Sequence, residues 1–172
     1  KTVISVIDDS FDCMHSAFSA VPSQVKYNQD MLNNIFSAVS FNTETSYTMS
    51  DLYKNGKVIF AYDYADRDND TYCSGKNHGT NVAGTAAGNN GKNDKNAFLG
   101  TAYNAQLALM KVCSDSTDSF TDDSVIAALD DSVKIGADVI NCSFTSDGEL
   151  RNTQLFESIY QRISQSGTYI AA

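Results

Sequence analysis

Thr2–Ile7 (T-V-I-S-V-I) is a β-branched run that stops abruptly at two acids, Asp8 and Asp9. A continuous apolar run with no polar alternation is how a parallel strand reads when both of its faces are covered. Such a strand delivers its last side chains to the carboxyl edge of the sheet. The pattern repeats downstream. Lys57–Tyr62 (K-V-I-F-A-Y), Gln106–Val112 (Q-L-A-L-M-K-V), Asp138–Phe144 (D-V-I-N-C-S-F) and Gly167–Ala172 (G-T-Y-I-A-A) each read as a further strand.

Helical segments separate these runs. Gly79–Gly88 is rich in small residues and suits a helix packed close to its neighbours. From Thr121 the pattern turns helical, with Thr121 as cap, Asp122 and Asp123 in the first turn, and Gly136 as the stop. Val125, Ile126, Leu129 and Val133 form its expected core stripe. Leu150–Ile163 is a second amphipathic helix, with Leu155, Phe156, Ile159 and Ile163 as its apolar positions. Residues 12–56 give only a helical patch at Asp30–Ala38. Strands alternating with helices predict an α/β, doubly wound, mainly parallel sheet flanked by helices. Residues 1–172 read as one unit with no internal boundary.

Composition narrows the function. The net charge of −9 argues against nucleic acid, whose phosphates require basic patches. No apolar run approaches the roughly 20 residues needed to span a bilayer. The four cysteines, Cys13, Cys73, Cys113 and Cys142, have no metal-ligand spacing, so buried thiols are preferred to one or two disulfides. No G-x-G-x-x-G turn follows the first strand, where Asp8-Asp9-Ser10 would repel a phosphate, which disfavours a nucleotide-binding domain.

In open α/β sheets the reactive groups gather at the carboxyl ends of the strands. Asp8 lies there, and His78 opens the small-residue helix. Either alone is more often a turn or cap residue. Their surroundings change that reading. Val6–His15 (V-I-D-D-S-F-D-C-M-H) resembles the aspartate motif of the subtilisin-like serine proteases, the subtilases. Asn77–Asn89 (N-H-G-T-N-V-A-G-T-A-A-G-N) resembles their histidine motif, and Gly136–Phe144 is similar to their cleft strand. The three segments occur in the family's order. The approach Asp51–Tyr64 looks like that of lactocepin-type cell-envelope proteinases and the related complement-cleaving peptidases.

The resemblance implies a subtilisin-like fold, and it implies that Asp8 and His78 are two members of a Ser-His-Asp triad. A serine hydroxyl attacks a peptide carbonyl only when an imidazole takes its proton, and an aspartate orients that imidazole. The resemblance further implies that Ser143, Phe144 and Thr145 pair with a protein or peptide substrate, with Ser116, Thr117 and Asp118 on the opposite wall. No cofactor is required. Calcium at Asn89, Asn90, Asn93 and Asp94 is weighed below a plain solvated loop. A secreted or cell-surface bacterial enzyme is expected. Ser10, Asn81 and Thr145 stand where the family usually has glycine, a second histidine and glycine.

Nothing in the chain matches the family's G-T-S-M-A-x-P serine motif; Ser166-Gly167-Thr168 has similar letters in the wrong order. The oxyanion asparagine would follow the strand that begins at Gly167. The expectation is therefore the N-terminal part of one peptidase domain, incomplete in this chain. It would be inactive and poorly soluble until a complementary C-terminal polypeptide supplies the serine. The competing expectation is a peptide-binding pseudoprotease, disfavoured because both Asp8 and His78 are retained.

Overall fold

The computed structural model describes residues 1–144 and 153–172. Five strands, β1 (Val3–Asp8), β2 (Val58–Asp63), β3 (Gln106–Lys111), β4 (Val139–Cys142) and β5 (Tyr169–Ala171), form one parallel sheet in the order β2-β3-β1-β4-β5. Five helices connect or flank them: α1 (Gln29–Ala38), α2 (Met49–Leu52), α3 (His78–Ala87), α4 (Asp122–Ile135) and α5 (Thr153–Ser166). The order reverses at β1, with β3 on one side and β4 on the other. That is the switch point at which doubly wound sheets open a crevice. The fold class read from the sequence is the one observed.

Every residue of β1, β2 and β3 is buried, as expected of strands covered on both faces. Side chains alternate between two cores. Val3, Ile7, Ala108, Met110 and Ile140 join the core that includes buried residues of α1, α2, α4 and α5. Ile4, Val6, Leu107 and Leu109 join the core with Ala83 and Ala87 of α3. Parity therefore sends Asp8 and Lys111 to the α3 side, because they continue the Ile4–Val6 and Leu107–Leu109 series.

Helix α4 begins and ends as its sequence dictates. Thr121 Oγ1 accepts from Ser124 N at 3.2 Å, and Gly136 adopts φ 77°. Its buried face differs from the expected stripe. Of Val125, Ile126, Leu129 and Val133, only Leu129 is fully buried; Ser124, Ala128, Asp131, Ser132 and Ile135 turn inward. Small residues let the helix approach the sheet, and Ser132 Oγ lies 2.7 Å from Ser5 Oγ of β1. In α5, Phe156, Ile159 and Ile163 are buried as expected, while the side chain of Leu155 lies outside the described residues.

The polar stretch 39–56, which carried no periodicity, is organised by hydrogen bonds. Thr48 and Asp51 form a capping box that starts α2. Buried Asp131 accepts from the backbone N–H of Asn42 at 2.9 Å and from Tyr64 Oη at 2.9 Å, and it pairs with Lys134 at 3.0 Å. All four cysteines carry free thiols, with Cys13, Cys113 and Cys142 buried and Cys73 partly exposed. Replacing Asp131 by Leu strands the buried Tyr64 hydroxyl and removes the acceptor of the Asn42 N–H. We expect a loss of about 3 kcal/mol in urea unfolding; a change below ~0.5 kcal/mol would show that Asp131 does not anchor the stretch.

Candidate active site

The site is built at the carboxyl end of β1. Asp8 is its last residue and is 1% exposed. His78 opens α3, and its Nδ1 lies 2.8 Å from Asp8 Oδ1. The same oxygen accepts the backbone N–H of Asp9 at 2.7 Å. Asp8 Oδ2 is buried and has no hydrogen-bond partner among the described residues. The carboxylate is thus committed on one oxygen, and the ring it holds stays 56% exposed.

This contact depends on how closely α3 meets β1. A Cβ on Gly79 would stand 2.6 Å from Ser10 O and 2.9 Å from Asp8 Cβ. No side chain fits there, which is why glycine follows the histidine. Two hydrogen bonds then hold the helix start: Gly79 N donates to Asp9 Oδ1 at 2.9 Å, and Asp12 N donates to Thr80 Oγ1 at 2.9 Å. Ser10, which stands in place of a glycine, is fully buried, and its Oγ accepts from Cys73 N at 2.8 Å. It ties the segment leading to His78 back to the end of β1. Asn81 is exposed on α3.

Electrostatics follow the geometry. The hydrogen bond that His78 donates to Asp8 raises His78 above the ordinary imidazole value; partial burial opposes this, and the charges of Asp8 and Asp9 add to the rise. Burial pushes Asp8 above the usual carboxylate range, with the His78 ring and the Asp9 N–H pulling it back. Behind Asp8, burial and the nearby carboxylate push the Cys142 thiol up to about 12, so it stays protonated.

Beside the pair lies an ionic cluster with little sequence signal beyond a polar residue closing each apolar strand. Lys111 of β3 is fully buried and pairs with Asp63 of β2, with Asp66 at 3.3 Å and with Asp115 at 2.9 Å. Burial alone would lower Lys111, and these carboxylates overturn it and hold the amine charged. Asp63, Asp66 and Asp115 are close enough together to bind a cation, and the Lys111 ammonium takes that place. Asp8, Asp9 and His78 form the other such group among the described residues.

The cluster also fixes the turn at 114–119. Asp115 N donates to Asp66 Oδ2 at 2.8 Å, and Lys76 pairs with Asp118 at 2.6 Å. Ser116, Thr117 and Asp118 are exposed on this turn. Ser143 is exposed after β4, and Phe144 stacks on Phe120 with ring centroids 4.8 Å apart. The stack joins the two segments expected to flank a substrate, and Phe120 was not among the sequence-derived candidates. Thr145 lies outside the described residues. In the asparagine-rich loop, Asn89 Oδ1 accepts from Gly91 N, Asn90 Oδ1 from Phe98 N and Asp94 Oδ1 from Asn96 N, so these oxygens shape turns.

Residues 1–172 match the model of the subtilase family. The chain belongs to that family. It is 35% identical over 177 residues to a PII-type proteinase of Lactococcus lactis subsp. cremoris, a match covering 97% of this chain and 9% of that protein. A PII-type proteinase of Lacticaseibacillus paracasei is 33% identical over 174 residues, with the same coverage of 97% and 9%. The chain thus spans less than a tenth of these relatives. Among solved structures, a lanthipeptide protease superposes with a TM-score of 0.58 at 15% identity, covering 97% of this chain and 37% of the other. That likeness concerns the fold. The resemblance to cell-envelope proteinases read from the sequence agrees with the lactococcal match. Among the described residues, no helix is long and apolar enough to cross a membrane.

The approach at Gly79 gives a test. Substituting Gly79→Ala should push α3 off β1 and break the Asp8–His78 hydrogen bond. A downfield imidazole N–H proton held by Asp8 in NMR spectra should then vanish; its persistence, with unchanged His78 titration, would show that the contact tolerates the extra methyl.

Proposed function

We propose that this subtilase chain is the N-terminal part of a serine endopeptidase domain, and that Asp8 and His78 are the orienting aspartate and the general base of its Ser-His-Asp triad. The observation that carries the reading is the 2.8 Å contact between His78 Nδ1 and a buried Asp8 carboxylate, on a ring whose other side is open. Asp8 fixes the tautomer by accepting from Nδ1–H, which leaves Nε2 as the proton acceptor. A serine supplied by a complementary C-terminal polypeptide loses its proton to Nε2 as its oxygen attacks the peptide carbonyl. The imidazolium, stabilised by Asp8, then protonates the leaving amine. Water repeats the sequence to release the acyl group.

The substrate is a protein or peptide lying extended between Ser143–Phe144 and Ser116–Asp118. Main-chain hydrogen bonds along both edges would hold it. The complementary polypeptide also supplies the oxyanion asparagine, a donor worth roughly 10²–10³ in rate in such enzymes. Triad chemistry of this kind requires no cofactor. The bacterial PII-type proteinases among the relatives support a secreted or cell-surface enzyme.

In the full-length protein, Asp8→Asn should lower kcat by about 10⁴ while leaving the fold cooperative. His78→Ala should abolish labelling by a serine-directed phosphonate. Near-normal turnover of Asp8→Asn, or no labelling of the wild type, would overturn the assignment, the latter favouring a pseudoprotease.

The pH profile follows from the raised His78. The base must be neutral to accept a proton, and a raised pKa delays the neutral form to higher pH. The acid limb of kcat/KM should therefore lie above the ordinary imidazole value of about 6.5. A limb at or below that value would mean that the Asp8 contact does not persist in solution.

A further inference from the structure

A histidine at the start of a helix faces an electrostatic problem. The unpaired N–H groups of the first turn carry partial positive charge, which disfavours the imidazolium. In α3 the residue in the capping position, Asn77, makes no side-chain bond to the helix, and the first turn contains no acid. The capping carboxylate comes instead from another element. Asp9, the residue after the proposed triad aspartate, takes the Gly79 N–H on its Oδ1 at 2.9 Å, while its own N–H binds Asp8 Oδ1 at 2.7 Å.

We propose that Asp9 is a positioning residue for His78, anchoring the first turn of α3 from the end of β1 and keeping a second negative charge beside the imidazole. The proposal rests on reading His78 as the base. One residue thereby holds both partners of the pair, Asp8 through its backbone and the helix of His78 through its side chain. Among the described residues, the charged and titratable groups around the ring are few. Asp8 and Asp9 approach from β1, α3 contributes none in its first turn, and the Cys142 thiol of β4 lies behind Asp8. The two carboxylates therefore offset the positive helix end, and the charge of Asp9 adds to the upward displacement of His78. A serine at this position would keep a hydrogen-bond acceptor without the charge.

The test separates charge from geometry. Asp9→Asn keeps an oxygen for the Gly79 N–H but removes the charge; Asp9→Ala removes both. His78 is titrated by NMR in the full-length protein and in both variants, with His15, which caps the separate Ser16–Phe18 turn, as internal reference. Both variants should lower the His78 midpoint and move the acid limb of kcat/KM to lower pH. The plateau of kcat/KM should fall about tenfold in Asp9→Ala, through misplacement of the base, and less in Asp9→Asn. An unchanged His78 midpoint in Asp9→Asn, with a cooperative thermal transition, would overturn the electrostatic part. Equal plateaus in Asp9→Ala and wild type would overturn the positioning part. If the wild type hydrolyses no peptide, the protease reading fails, and the titration still decides whether Asp9 sustains the basicity of His78.

Discussion

Much of this molecule depends on how closely α3 can approach the end of β1. The limit is set at Gly79, where even a methyl group would collide with Ser10 O and Asp8 Cβ. Because that space is left to backbone, a buried carboxylate and a helix-borne imidazole come within hydrogen-bond distance without either element bending. The segment Ser10–Asp12 then binds both Thr71–Cys73 and the first turn of α3. The site is consequently a property of packed backbone, and its side chains inherit their positions from it.

The second constraint is parity. In a parallel strand the side-chain period is two, so the face of a strand's last residue is set by its first. Asp8 and Lys111 lie opposite each other in register, and Asp63 pairs with Lys111 from the other side. Three neighbouring strands thus end in ionisable residues on the α3 face of the sheet. In isolation, burying such groups would be costly. Side by side, Lys111 neutralises the acids of β2 and of the turn, and Asp8 is left to the histidine.

The apolar runs, the Thr121 and Gly136 signals and the histidine motif were enough to read the sheet, α3, α4 and the Asp8–His78 pair from sequence. Each depends on local chemistry that a single segment carries. Other features depend on partners distant in the chain. Asp131 looks like a surface acid of an amphipathic helix until Asn42 and Tyr64 arrive to bind it. The same holds for the rotated face of α4, where Ser132 and Ser124 outrank Val125 and Val133 because contact with the sheet rewards small size. Lys111 closes an apolar strand, and its carboxylates come from two segments, the end of β2 with the turn after it and the turn that follows β3. Asp9 was legible as a neighbour of Asp8, but its bond to Gly79 exists only once the fold closes.

The turn at 114–119 has a consequence of a different kind. It is clamped at one end by Lys111 through Asp115 and at the other by Lys76 through Asp118, and Phe120 just beyond it leans on Phe144. Loops beside a crevice commonly surrender freedom when something docks against them, and that loss subtracts from affinity. Here the freedom is reduced during folding, by ion pairs to Lys111 of the sheet and to Lys76 of the segment before α3. Whatever lies along this rim meets a surface already ordered, so selection there rests on the fit of shape and charge and owes little to adaptation.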